Sequence, residues 1–172
     1  MTLMLLLGMI GLFFFVKRSS ENTYSIKWIT SLDKYEWFQN PWLIGVFLFV
    51  INLILFGTTA LVLYGITYLM IPYIHLVIMV AATVTSILVW QSLVYAREWM
   101  KGERWKAGMT GSSFYLLLFL YILYEWNTYV PIYPGEDEFM SSLGFFIGEL
   151  VTGMAFLICF VMVVFLPVHK RL

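Results

Sequence analysis

The stretch "GFFIGELVTGM", Gly144 to Met154, sets a carboxylate, Glu149, in the middle of an apolar run. An ionisable side chain at membrane depth is expensive, so it must be compensated or used. A carboxylate there can carry a proton or cation, or hold a polar headgroup. The alternatives are a hydrogen-bonded Glu that fixes helix packing, or one shallow enough to reach water. His75, and Glu125 and Asn127 in "YEWNTY", are expected at a similar depth, toward one end of the apolar segments. Together with Glu149 they form the candidate polar cluster, with His75, Glu125 and Glu149 as three separate wetted residues the alternative arrangement. His75, Glu125 and Glu149 suit a metal by ligand type, but their spacing matches no metal motif. His75 is the one histidine inside an apolar segment, which excludes a bis-histidine haem held by this chain alone. The residues assign no cofactor.

Gly144, Gly148, Thr152 and Ala155, with Cys159 beyond them, recur every three or four residues. Small side chains at that spacing let another helix approach closely, so they mark a helix-packing seam. Glu149 adjoins this seam and is expected to face protein rather than lipid. Asn52 and Gln91 cost more to bury than the many Ser and Thr hydroxyls, which bond their own backbone. Both are expected to face a neighbouring helix, well away from Glu149. The loop "YAREWMKGERWKAG" joins Arg97, Lys101, Arg104 and Lys106 to Trp99 and Trp105. Basic groups among interfacial aromatics suit an anionic membrane surface, and partner binding is the sharper alternative. No His-Glu-x-x-His, P-loop or Gly-x-Ser-x-Gly motif occurs.

The elements that must position these residues follow from composition. Hydrophobic residues make up 62% of the chain and charged ones 12%, with a mean hydropathy of +0.88. A soluble domain is roughly half apolar and about a quarter charged, so this chain belongs in a bilayer. The expected fold is all-α, an integral membrane bundle of four to five transmembrane helices with short loops, in a single domain over 1–172. Helices are expected at 42–69, 72–96, 111–131 and 140–167. Residues 1–16 form a short apolar segment that reaches less far than the ~30 Å hydrocarbon core. Residues 17–41 are expected to be cytoplasmic or interfacial, with Asn40-Pro41 marking the entry to the next helix. A helical hairpin is expected with its tip near Met70 to Pro72.

Orientation follows from the ten Lys and Arg residues. Four precede the 42–69 segment, four lie between 96 and 111, and two end the chain. Four spanning helices put all three groups on one side, which the positive-inside rule makes the cytoplasm, with the C-terminus there. The loop "VPIYPGEDEF" carries three acids and no base, and faces outward. The expected location is a bacterial cytoplasmic membrane. A formal net charge of zero gives no electrostatic case for nucleic acid. The expected partners are the lipid bilayer and either a membrane protein or further copies of the chain. Three function classes fit: a non-catalytic accessory, assembly or regulatory subunit of a larger membrane complex; a small oligomeric transporter or channel component using Glu149; or a membrane-embedded enzyme or binder of lipid or quinone.

Overall fold

The computed structural model describes residues 26–68, 73–100, 102–131, 133 and 137–166. Residues 1–16, Met70 to Pro72, Lys101, Lys170 and Arg171 lie outside the described residues. The described chain is all-helical. A single helical turn, α1 (Lys27–Thr30), is followed by two 3-10 turns, Ser31–Lys34 and Glu36–Gln39. Four long helices come next: α2 (Pro41–Thr67), α3 (Ile74–Tyr95), α4 (Glu103–Thr128) and α5 (Glu138–Phe165). All four are long and apolar enough to cross a membrane.

Local chemistry explains the helix ends. Pro41 opens α2 at a position that needs no N–H donor, and the Asn40 side chain accepts from the Trp42 N–H at 3.0 Å. Asp137 caps α5 by accepting from the N–H groups of Phe139 and Met140. The sequence places the start of α4 at 111, yet it begins at Glu103. Gly102, at φ +84°, makes the left-handed turn that admits it. The charged first turn of α4 is helical because its side chains bond other parts of the bundle, which hydropathy does not register.

The core lies at one end. Buried residues of α2 fall at Ile44 to Asn52 and those of α3 at Val89 to Val94. Those of α4 fall at Ala107 to Tyr115, and those of α5 at Thr152 to Val164. Because the helices alternate in direction, these stretches share one half of the bundle. The same end carries Lys34, Arg97, Arg104 and Lys106, and is called the basic end below. At the opposite, acidic end lie Asp137 and Glu138. The segment 26–40 docks under the basic end, with Ile29 and Phe38 fully buried and the Ile26 N–H donating to Ser92 Oγ at 2.8 Å.

Helix α4 packs against both α2 and α5. Close approach depends on glycines other than the expected seam. A Cβ on Gly45 would sit 2.6 Å from Thr110 Cβ, and one on Gly111 would fall within 3 Å of Leu48 Cβ. One on Gly108 would meet Val164 Cγ2 at 2.8 Å. Gly144, by contrast, faces open space. Toward the acidic end α4 and α5 stay paired: Tyr129 packs on Phe145 at 5.4 Å and donates to Ser141 Oγ at 3.1 Å. On α3, Val77 and Val80 are both more than 60% exposed.

This packing distinguishes two glycines. Gly111→Ala should destabilise the bundle by about 1–3 kcal/mol through overpacking. Gly144→Ala should be neutral or stabilise by up to about 1 kcal/mol, through helix propensity alone. Cys159 is buried and is the sole cysteine, so a thiol-reactive dye reports unfolding in detergent. Equal shifts for the two variants would contradict the α2–α4 contact.

Candidate functional site

The buried polar groups sort by the end of the bundle they occupy. At the centre of the basic half, the fully buried Asn52 reaches three other helices. Its Oδ1 accepts from Trp90 Nε1 of α3 at 2.8 Å. Its Nδ2 donates to the Gly111 carbonyl of α4 at 3.2 Å and to Cys159 Sγ of α5 at 3.7 Å. Gly111 permits this, since a side chain there would push α2 off the carbonyl that Asn52 reaches. One amide thus fixes the register of all four long helices.

At the basic end, Arg97 leaves the terminus of α3 and is buried. Its guanidinium donates to the Phe38 and Gln39 carbonyls at 3.1 and 2.7 Å, and to Glu103 Oε2. The same carboxylate oxygen accepts from the Met100 N–H, and the guanidinium lies 4.9 Å from the Trp99 ring centre. Arg97 therefore ties the 26–40 segment to the α3–α4 loop. Arg104 donates from Nε to the Val163 carbonyl at 2.7 Å, in the last turn of α5. A cation there satisfies a terminal carbonyl and opposes the negative end of the helix dipole. Trp105 packs on Phe160 and Phe165 of the same helix. The exposed Lys106 has its ammonium 6.0 Å from the Trp42 ring centre. Of the basic-aromatic loop, Arg97 and Arg104 thus serve internal contacts, while Lys106 and Trp105 remain at the surface. Lys101 lies outside the described residues.

The acidic half holds the other candidates. Glu149 is half-buried, and its Oε1 is buried without a hydrogen-bond partner among the described residues. It shares a helical face with Phe145 and Phe156, and Phe145 packs on Tyr129 beyond α4, so this face turns toward α4. His75 is exposed at the start of α3. Glu125 lies one turn from Tyr121 and bonds its hydroxyl. Asn127 donates to the Leu123 carbonyl of its own helix at 2.7 Å. Among the described residues no three His, Cys, Asp or Glu side chains are placed to hold a metal ion, so His75, Glu125 and Glu149 do not make one ligand set. Along the expected seam, Thr152 is buried and a Cβ on Gly148 would touch Ile122 at 3.4 Å. Ala155 borders a crevice.

That crevice, of about 360 Å³, lies between α2, α3 and α5. Trp90 and Tyr115 form its floor, with rings 6.1 Å apart edge to face. Thr59, Thr83 and Thr152 are among its lining residues. Neither the crevice nor the Arg97 contacts were expected from the sequence. The signal for the α4 contacts was present as Ala107, Gly108 and Gly111, but it fell at or before the boundary that hydropathy set. No family model, no curated protein and no solved structure matches this chain.

Two measurements test these networks. In a double-mutant cycle of Asn52→Leu and Trp90→Phe, the coupling should be about 0.5–2 kcal/mol, the range of interhelical hydrogen bonds in bilayers. Strict additivity would remove Asn52 from its place at the centre. Arg97→Met leaves the Glu103 carboxylate, whose side chain is 18% exposed, without its partner. It should cost about 3 kcal/mol, the lower limit for a broken buried pair. Proteolysis within 26–40 should accelerate in this variant while cleavage elsewhere stays slow.

Proposed function

We propose that this chain is a non-catalytic accessory, assembly or regulatory subunit of a larger membrane complex. It sits in a bacterial cytoplasmic membrane with the basic end and the C-terminus in the cytoplasm. The orientation rests on the distribution of Lys and Arg. The observation that carries the function is how the buried polar groups are used. Asn52, Trp90, Arg97, Glu103 and Arg104 all spend their hydrogen bonds on joining one part of the bundle to another. Such groups make a rigid scaffold, since a fully satisfied polar network specifies one arrangement.

Two buried side-chain oxygens have no hydrogen-bond partner among the described residues, Ser112 Oγ in the basic half and Glu149 Oε1 in the acidic half, and Glu149 is the ionisable one of the two. A donor from a second membrane protein would complete it. A transport path draws less support, because the threonine hydroxyls lining the crevice bond their own helices and those of Ser86 and Tyr115 bond each other, offering an ion little to replace its water.

Mild-detergent purification from native membranes should recover a second membrane protein in fixed stoichiometry. A photo-crosslinking residue at position 149 should link to it, and Glu149→Gln should lower its recovery by about threefold or more, the effect of losing a charged interface contact. The reading is overturned by a homo-oligomer that conducts cations in liposomes and loses that flux in Glu149→Gln.

A further inference from the structure

The crevice between α2, α3 and α5 has a shape and chemistry that select one class of occupant. Its volume, about 360 Å³, falls among ligand pockets of roughly 300–1,000 Å³. The lining runs along α3 from Met79 to Trp90. At 1.5 Å per residue that is about 16 Å, close to one leaflet of a ~30 Å hydrocarbon core. Phe56, Met79, Leu150 and Val151 are exposed along the rim, whereas Trp90 at the floor is 3% exposed. The opening is therefore sideways, into the region that the span-capable helices would place in hydrocarbon.

The polar residues of the lining do not make it polar. Thr59 donates to the Leu55 carbonyl at 2.7 Å, Thr83 to Met79 at 2.8 Å and Thr152 to Gly148 at 2.8 Å. Each hydroxyl is turned back on its own helix. Tyr115 is hydrogen-bonded to Ser86. Among the described residues no charged side chain lines the space. A polar solute entering it would lose hydration with little in return. An apolar chain would supply the dispersion contacts that the separated helices forgo.

We propose that the crevice binds one acyl chain of a membrane phospholipid, with the headgroup at the acidic end. Tyr64, Tyr68, Tyr73 and His75 lie there, and the Tyr64 and Tyr68 hydroxyls bond each other at 2.8 Å. Tyrosine at both helix ends is the pattern of a headgroup-level belt. The site goes beyond the subunit reading, since it needs no protein partner and should persist in the purified chain.

The test uses the full chain reconstituted in phosphatidylcholine carrying a diazirine in its acyl chain. After photolysis, adducts should concentrate on the crevice residues of α3 and α5, above the level on the exposed Leu117 and Leu120 of α4. Ala82→Trp fills the crevice and should cut those adducts by about fivefold or more, while Leu120→Trp on the open face should leave them unchanged. Should Ala82→Trp fold poorly, Ser86→Leu should give the same loss. Labelling spread evenly over all exposed faces and insensitive to both variants would overturn the proposal. So would a protein cross-link from α3 that protects the crevice from lipid in native membranes.

Discussion

The bundle depends on the hydrogen bonds of one side chain. Asn52 is an amide among aliphatic and aromatic neighbours, where an unmade bond costs more than a made one gains. Its donors and acceptor are aimed at α3, α4 and α5 in turn. Apolar packing between helices has little directional content in lipid, because the tails are as apolar as the side chains. The amide supplies that direction. A shift of one turn in any helix would leave Trp90 Nε1 or the amide itself without its partner, so the polar core sets a register that Leu and Val alone would leave loose.

The asymmetry of the molecule follows. Packing is closest where the glycines of α2 and α4 let the backbones meet, and one of them, Gly111, carries the carbonyl that Asn52 reaches. The Arg97 contacts add a second fastening at the same end, holding the 26–40 segment beneath the helices. Beyond the level of Asn52 the Tyr115–Ser86 hydrogen bond joins α3 to α4 one turn further on, and nearer the acidic end Val77 and Val80 of α3 are exposed. The closed basic half and the open acidic half are thus two consequences of one placement of polar groups.

Much of this architecture was legible in the residues. The four long apolar helices, the Asn40-Pro41 entry and the gathering of charge by side all rest on hydropathy and on Lys and Arg positions, which are local properties. Asn52 could be recognised as a residue that must face a neighbour, but not as one that reaches three. That depends on which helices adjoin, and periodicity within a helix carries no such information. The start of α4 was misplaced because Arg104 and Lys106 look like loop residues until the α5 carbonyl that Arg104 reaches is known. The seam of α5 was marked by size alone, and size does not distinguish Gly144, which meets nothing, from Gly148, which meets Ile122. Whether His75, Glu125 and Glu149 would gather was equally beyond reach, since equal depth leaves the azimuth of each helix free.

The hydroxyl groups show why depth and polarity together still do not define a pathway. Threonines at several levels of α2, α3 and α5 could be read as a ladder for an ion. Each of those along the crevice instead satisfies a carbonyl one turn back, and so presents its methyl group rather than its oxygen. A helix in a low-dielectric surround gains from that local bond whether or not a cavity lies beside it. Cavities that form between such helices are apolar by default, and become polar only where a residue is denied its local bond. The buried oxygen of Glu149 has no such bond from any described residue, and in that it differs from the threonine ladder.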